Sequence, residues 1–283
     1  MIGITEWVNA KNGFTVIDLE YIADPDKRSE EWKRVNQAGV PKAEWNREYG
    51  SSWNVYDGKP VYGDYDEDVH LVCGTIVVPR KCKLISGWDG GPNDINLAWC
   101  LGVVFPDVPA VTWIDEYQVD DGDSTSFVEI VSSRLRMEWL KLGGFSIHAC
   151  DQSIFTKSGV ADGRSLADTM KRFGLFPIPA EISYAKRRQS VEDLLTKAMK
   201  WEAGKMVPRW RIHERCVLLR NAMKGGYCYP KGLGGINLAF KPRPIKNVFS
   251  HIANAMEYAC SRISILENDI PYDGRRLPHF NRI

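Results

Sequence analysis

The chain contains 283 residues, of which 37 are Lys or Arg and 36 are Asp or Glu, so its formal net charge is +1. Hydrophobic residues make up 44% and charged residues 26%, the composition of an ordinary globular protein. This balance excludes a disordered tail, a collagen-like fibre and a highly basic packaging protein. At about 150 residues per domain, the length predicts roughly two domains, or one large domain with a small appendage.

No stretch of the sequence approaches 18 apolar residues, so we expect no transmembrane span and no membrane partner. The first residues, MIGITEW, lack the basic region and apolar run of a signal peptide. Seven cysteines are scattered without a CxxC pair. This pattern favours reduced, mostly buried thiols in a cytosolic protein over disulfides or a zinc site.

Residues 1–80 lack the regular apolar pattern of the rest of the chain and are predicted to form an N-terminal arm or linker. Residues 23–68 are polar, aromatic and rich in turns, with short helical patterns at Ser29–Gln37 and Lys42–Tyr49. We place a domain boundary near residue 80. The main domain is then residues 81–263, and residues 264–283 are expected to form a loosely held C-terminal tail.

The main domain begins with three runs rich in Ile, Val, Leu and Trp, which predict an antiparallel meander. Helices and short strands then alternate, and a glycine-bounded hairpin at residues 225–239 precedes a closing helix. The predicted strands are Cys82–Trp88, Ile95–Val104, Ala110–Val119, Phe145–Cys150 and Leu175–Pro179. One predicted helix begins after Asp123. The others cover Arg164–Phe173, Lys186–Glu202, His213–Lys224 and Asn247–Ile263. The inward residues of the closing helix are predicted to be Val248, Ile252, Ala255, Met256 and Ala259.

This element order predicts an α/β domain with a mixed five-stranded sheet flanked by helices and an inserted β-hairpin. It resembles the order of the ribonuclease H-like fold.

Two carboxylates stand directly at the ends of predicted strands. Asp89 closes the first strand in GWDGG, and Asp151 closes the fourth strand in ACDQS. If these strands are adjacent, both carboxylates project at nearly the same height and repel each other unless a cation lies between them. Oxygen ligands suit Mg²⁺ or Mn²⁺, and two such ions about 4 Å apart can clamp the attacking and leaving oxygens of a phosphodiester. The alternative is that each Asp only forms a turn or caps a helix.

Six groups of motifs, in order over about residues 14–263, resemble the C-terminal nuclease domain of the terminase large subunit of tailed bacteriophages. They are WNREYGSSW with GKPVYGDYDEDVH, GWDGG, ACDQS with DGRSLADTMKRFGL, KRRQSVEDLL, HERCVLLRNAMKGGYCY and SHIANAMEY. The resemblance implies a two-metal-ion endonuclease that cuts concatemeric viral double-stranded DNA during genome packaging. It also implies two Mg²⁺ or Mn²⁺ ions as cofactors, with Asp89 and Asp151 as catalytic metal ligands.

The closing helix departs from the family's usual SH-x-x-D-A pattern. Asn254 stands where the family carries its third metal-binding Asp, and His251 lies one turn before it on the same helix face. Asn254 offers a carbonyl oxygen without a charge, so at least one metal site is expected to be weaker. Three explanations stay open: an engineered Asp→Asn change, a natural variant in which His251 completes the site, and a domain that has lost catalysis. A helix-capping or core role for His251 is equally compatible with the sequence.

The sequence contains no GxxxxGK[ST] phosphate loop. We therefore expect the ATPase that accompanies this nuclease in the family to lie outside this sequence or on another polypeptide. The resemblance implies double-stranded DNA, the terminase ATPase portion, the small terminase subunit and the portal as partners. It places the protein in the cytoplasm of the infected bacterial host, and the isolated domain is expected to be a monomer.

Local clusters of basic residues are the candidates for DNA contact, because binding phosphates requires only a local positive groove. We favour the cluster closest to the proposed site, and the hairpin at residues 225–239 is a candidate flap over the duplex. Ordinary solvated faces are the alternative. The candidate residues are Lys241, Arg243 and Lys246, then Lys186, Arg187 and Arg188, with Arg209 and Arg211 as a further pair.

Two other functions are compatible with the sequence. A catalytically silent DNA-docking or assembly module of the packaging machine is the alternative that Asn254 favours. A resolvase-like junction nuclease would keep the fold but prefer branched DNA to linear duplex.

Overall fold

The structure is a computed structural model of the 283-residue chain. It describes residues 2–8, 14–40, 45, 49, 58–76, 82–90, 95–105, 110–140, 146–156, 164–200, 206–230 and 243–263. The chain divides into two compact units: Met1–Asp66 with Met223–Ile245, and Glu67–Ala222 with Lys246–Ile283. The boundary predicted near residue 80 falls inside the second unit, at residues outside the described ranges.

The elements of the described residues are numbered in chain order. The strands are β1 (Ile4–Val8), β2 (Thr15–Leu19), β3 (Gly58–Pro60), β4 (Leu71–Val72), β5 (Lys83–Asp89), β6 (Ile95–Val104), β7 (Val111–Asp121), β8 (Ser146–Cys150), β9 (Pro177–Pro179), β10 (Ala198–Lys200), β11 (Met206–Pro208), β12 (Trp210–His213) and β13 (Cys228–Pro230). The α-helices are α1 (Glu30–Gln37), α2 (Glu67–His70), α3 (Ser124–Arg134), α4 (Leu166–Arg172), α5 (Tyr184–Thr196), α6 (Val217–Asn221) and α7 (Val248–Cys260). Within the described part of the chain, no helix is long and apolar enough to cross a membrane.

The described residues of the first unit include two small antiparallel sheets and the helix α1. β1 pairs with β2, and β3 pairs with β13. Ser29 caps α1 by accepting a hydrogen bond from the Trp32 amide, which confirms the helix predicted at Ser29–Gln37. Most of the helical pattern at Lys42–Tyr49 lies outside the described residues, as does most of the hairpin predicted at 225–239. The described strand of that hairpin pairs with β3, a partner that the sequence analysis did not predict.

A seven-stranded mixed sheet forms the centre of the second unit, in the order β4-β12-β7-β6-β5-β8-β9. The meander β5-β6-β7 is antiparallel, whereas β8 pairs parallel with β5 and β9 parallel with β8. These five strands are the predicted ones, and the mixed sheet is confirmed. The count of five was wrong because β12 and β4 extend the sheet beyond β7. They have four and two residues, too few to produce a readable alternation of apolar and polar side chains.

Helices cover both faces of this sheet, which explains the nearly continuous apolar runs in its central strands. In β5 every residue after Lys83 is buried. On one face, Trp88 and Trp99 pack with Phe127 of α3 in the main core. The seven cysteines are free thiols, and all except Cys73 are buried, as their apolar surroundings in the sequence predicted.

On the other face, α7 packs unusually close to β5 at Gly87. A Cβ atom built on Gly87 would overlap the carbonyl oxygen of Ala255 and lie 3.2 Å from the Cβ of Ala259. Only glycine therefore permits this approach of helix backbone to strand backbone. The predicted inward residues Ile252, Ala255, Met256 and Ala259 are fully buried. The inward prediction was wrong for Val248, which is 39% exposed because it lies in the first turn, ahead of the buried stripe.

Two predicted helices have different bounds in the structure. The helix predicted at Lys186–Glu202 ends at Thr196, because residues 198–200 pair with β11 as β10. The helix predicted at His213–Lys224 begins at Val217, because residues 210–213 join the sheet as β12. In both places strand pairing overrides the local helical pattern.

A partly buried carboxylate ties α6 to the centre of the sheet. Glu116 of β7 accepts hydrogen bonds from the backbone amides of Leu218 (2.6 Å) and Leu219 (2.8 Å), at the start of α6. These donors and the helix dipole favour its charged form. Burial outweighs them and raises the pKa of Glu116 to about 7.

Replacing Gly87 by Ala is expected to destabilise the second unit by about 3 kcal/mol, because α7 must move away from β5. Gly63→Ala is the matched control, since a Cβ at that position meets no atom within 4 Å. Urea denaturation of both variants measures the difference. Equal stability of the two variants would contradict the close packing at Gly87.

Glu116 is expected to make folding stability fall with rising pH. Its ordinary pKa of 4.5 is raised to about 7 in the folded state, so the unfolded chain releases the proton first. Relative to Glu116→Gln, the free energy of unfolding should therefore fall by up to about 3 kcal/mol between pH 4.5 and 7 and then level off. Denaturation curves across this pH range measure the effect, and parallel profiles for the two proteins would refute it.

Candidate active site

Asp89 and Asp151 lie at the same edge of the sheet. They directly follow Trp88 and Cys150, which are register partners on the parallel strands β5 and β8. The backbone amide of Asp151 donates a hydrogen bond to the Trp88 carbonyl at 3.0 Å. Both carboxylates therefore leave adjacent strands at the same height. Asp89 is buried and Asp151 is half-buried.

His251 of α7 contacts the first of these carboxylates. Its Nδ1 atom lies 2.9 Å from Oδ2 of Asp89. Burial raises the pKa of Asp89 most, and the nearby charge of Asp151 raises it further. The His251 hydrogen bond and charge and the charge of Lys246 lower this pKa but do not offset the burial. Asp89 is thus a desolvated carboxylate, and a nearby positive charge stabilises its ionised form.

Asp151 is contacted by the hydroxyl group of Ser153. The Ser153 hydroxyl lies 2.7 Å from Oδ2 of Asp151 and 2.6 Å from the Gly90 carbonyl oxygen, so its single proton is donated to one of these acceptors at a time. Burial raises the pKa of the Tyr258 phenol of α7, and the charges of Asp89 and Asp151 raise it further.

Three polar residues of α7 form one stripe along the helix. His251, Asn254 and Tyr258 are spaced at i, i+3 and i+7, which places them on one helix face. Asn254 is buried and lies on this face between Tyr258 and His251, which contacts Asp89. At the start of the helix, Asn247 and Ser250 form a capping box, which fixes where the first turn begins.

A buried polar chain supports the two strands from the opposite face. The Trp88 indole donates to the Ser86 hydroxyl at 2.8 Å, and that hydroxyl lies 2.7 Å from Nδ1 of His148. Burial lowers the pKa of His148 to about 4, so the imidazole is neutral. The chain cross-links β5 and β8 just before the strands end in Asp89 and Asp151.

The predicted DNA-contact residues occupy different environments. Lys246 is exposed, and its charge acts on Asp89. Lys186 and Arg188 lie on α5 within 4 Å of Glu181 and Glu192. The side chain of Arg187 is only 11% exposed and forms an ion pair with Glu257. Arg243 is exposed and belongs to the first unit. Lys241 lies outside the described residues.

The donor set of this site fits a hard divalent cation. Two carboxylates lie at one edge of the sheet. Burial raises the pKa of Asp89, and the charge of Asp151 raises it further. The amide oxygen of Asn254 is a neutral donor of the same hard type. No group of three or more His, Cys, Asp or Glu side chains is arranged as metal ligands in the described ranges. The anionic part of the site is therefore two carboxylates.

Two residues of the site were missed by the sequence analysis. Ser153 follows Asp151 by two positions, in the ACDQS motif, and Tyr258 follows Asn254 by one helical turn. The helical spacing of Tyr258 from His251 and Asn254 was a readable signal. Ser153 gave no comparable signal, because a serine after a strand is more often part of a turn.

No protein-family model matches the sequence, and no curated protein matches it. Solved structures are similar in fold. The large terminase of the thermophilic bacteriophage D6E has 16% sequence identity and a TM-score of 0.52, over 81% of this chain and 52% of that chain. The P22 large terminase nuclease domain has 12% identity and a TM-score of 0.52, over 75% of this chain and 97% of that domain. This chain thus spans about half the length of the D6E large terminase.

The nuclease domain of P22 is matched over nearly its whole length, and the shared architecture is the mixed sheet with flanking helices described above. The resemblance predicted from the sequence motifs is confirmed at the level of the fold: this chain has the ribonuclease H-like fold of a large terminase nuclease domain.

Proposed function

We propose that this protein is a metal-dependent endonuclease that cuts concatemeric viral double-stranded DNA during genome packaging. One observation carries the proposal: Asp89 and Asp151 end two paired parallel strands beneath the polar stripe of α7. The likeness in fold to large terminase nucleases supports the same reaction class.

Asp89 and Asp151 would hold the divalent cation, Mg²⁺ or Mn²⁺, with the amide oxygen of Asn254 as a neutral third donor. Two such ions are the number expected for this reaction class. When bound, the cation supplies positive charge for the phosphate oxygens at the cleavage point. His251 would keep Asp89 oriented, and Ser153 would do so for Asp151.

The DNA backbone would approach the site along exposed basic residues. Lys246 is the best placed among the described candidates, because its charge already acts on Asp89. Lys186 and Arg188 lie on the exposed side of α5 and are secondary candidates, and Arg243 and Lys241 remain proposals. These residues contact phosphates and not base edges, so little sequence preference is expected.

As part of a packaging machine, the protein would meet a terminase ATPase portion, a small terminase subunit and a portal in the cytoplasm of the infected bacterial host. The D6E large terminase is about twice as long as the matched region, which leaves room for an ATPase portion in proteins of that kind. The nuclease domain by itself is proposed to be a monomer.

A catalytically silent DNA-docking module is the second candidate, and Asn254 is the observation that favours it. A buried amide in place of a carboxylate lowers the negative charge of the site by one, which weakens cation binding. Such a module binds duplex DNA in a salt-dependent way without cutting it.

Plasmid nicking in Mn²⁺ is expected to be faster for Asn254→Asp than for the unchanged chain, because the variant adds a third anionic ligand. Agarose gels of supercoiled, nicked and linear DNA measure both rates side by side. Cleavage by the variant alone would identify the unchanged chain as a silenced nuclease. Absence of cleavage by both proteins would favour the docking module.

Asp89→Ala and Asp151→Ala, each introduced into Asn254→Asp, are expected to reduce Mn²⁺-dependent nicking to background, since each removes a cation ligand. Asp168→Ala is the control, because that carboxylate belongs to the capping box of α4. Nicking retained in either of the two active-site variants would refute the ligand assignment.

Lys246→Ala is expected to weaken duplex binding to a similar extent for different DNA sequences. The slope of log affinity against log salt concentration should decrease by about 1, which corresponds to one lost phosphate contact. Fluorescence anisotropy over a range of salt concentrations measures this slope. A sequence-dependent loss with an unchanged slope would contradict a phosphate contact at Lys246.

A further inference from the structure

We propose that Gln118 of β7 is a positioning residue for the first turn of α7 and, through that turn, for the contact between His251 and Asp89. The inference rests on the proposed function, because Asp89 is one of the two carboxylates that would hold the cation. No sequence signal pointed to Gln118, since a polar residue near the end of a strand is usually a solvated one.

The first observation is that Gln118 and Asp89 lie in one row across the sheet. In the antiparallel meander, Ala98 of β6 is the register partner of Asp89 on one side and of Gln118 on the other. Register partners of antiparallel strands point to the same face of a sheet, so both side chains lie on the face that α7 covers. Neighbouring strands are about 4.8 Å apart, so the two backbones are separated by about 10 Å.

The second observation is a direct hydrogen bond from Gln118 to the backbone of α7. Its Nε2 atom donates to the carbonyl oxygen of Val248, the first residue of the helix, at 2.9 Å. Val248 and His251 are spaced at i and i+3, so they are neighbours on the helix surface. The bond therefore fixes the turn from which Nδ1 of His251 reaches Oδ2 of Asp89, also at 2.9 Å.

The third observation is that packing holds this first turn less firmly than the rest of α7. Val248 is 39% exposed and Phe249 is only partly buried, whereas every residue from Ile252 to Cys260 is buried. The capping box at the start of the helix joins residues of this turn to one another and not to the sheet. The bond from Gln118 is therefore the contact that ties the first turn to β7.

The other end of the Gln118 amide indicates that this side chain adds little to the stability of the fold. Its Oε1 atom is buried and has no hydrogen-bond partner among the described residues. A buried acceptor that is left unpaired costs at least as much free energy as one neutral hydrogen bond gains. Removing the whole amide should therefore release the first turn of α7 while leaving the stability of the protein nearly unchanged.

Gln118→Met tests the proposal, because methionine is a flexible side chain of similar length without an amide. The direct measurement is NMR of the full chain without added metal, in which the Nδ1 proton of His251 should exchange slowly while it is bonded to Asp89. We expect this proton signal to be lost to exchange with water in Gln118→Met, with a nearly unchanged thermal midpoint. His251→Gln identifies the signal among those of the five histidines.

Gln189→Met is the matched control. Gln189 also donates from Nε2, at 3.0 Å to the carboxylate of Asp193, but this pair lies on α5. The control is expected to keep the His251 signal of the unchanged chain. A His251 proton that is equally protected in Gln118→Met and in the unchanged chain would overturn the positioning role. Its absence from the unchanged chain would overturn it as well, because the contact to be positioned would then not exist.

Mn²⁺ binding separates this inference from the proposed function. Electron paramagnetic resonance of the free ion measures the affinity of Asn254→Asp with and without Gln118→Met. We expect about tenfold weaker binding in the double variant, as is typical when a group that orients a metal ligand is disturbed. Unchanged affinity would refute the effect of Gln118 on Asp89 and leave the proposed function standing. Absence of Mn²⁺ binding in both the full chain and Asn254→Asp would overturn the proposed function, whereas the NMR signal decides the positioning of His251 independently.

Discussion

The site depends on one close packing contact, the approach of α7 to β5 at Gly87. Because glycine has no Cβ, the backbone of Ala255 lies directly against the strand two residues before Asp89. This distance allows His251 to reach Asp89, and it places Asn254 and Tyr258 on the same helix face. A larger residue at position 87 would move these polar side chains away from the strand ends at once. Fold stability and site geometry are therefore determined by the same contact.

The charges of the site follow from this packing. Burying Asp89 beneath α7 disfavours its charged form, and the neighbouring Asp151 adds repulsion. His251 and Lys246 compensate only in part, so a cation bound between the strands would relieve both costs. Glu116 shows the same principle elsewhere on the sheet, where two backbone amides of α6 stabilise its partly buried carboxylate. Asn254 lowers the repulsion within the site but also lowers its attraction for a cation.

The elements that carry the site were predictable because their patterns are strong. The central strands β5, β6 and β7 are long apolar runs, and α7 has a clear inward stripe, so their positions agree with the structure within a few residues. The short strands β4 and β12 and the pairing of β10 with β11 were not predictable, because they depend on contacts between distant segments. Likewise, the sequence places Arg187 in a cluster of basic residues that is typical of a surface. Only the folded structure shows that its side chain lies beside the carboxylate of Glu257.

The central claim is that Asp89 and Asp151 form a divalent cation site beneath α7. Crystals of the full chain and of Asn254→Asp, soaked in Mn²⁺, test it by anomalous diffraction above the manganese absorption edge. The account predicts an anomalous peak between the two carboxylates, stronger in the variant than in the unchanged chain. Manganese bound only at other places in both crystals, with Asp89 and Asp151 contacting protein groups alone, would contradict it.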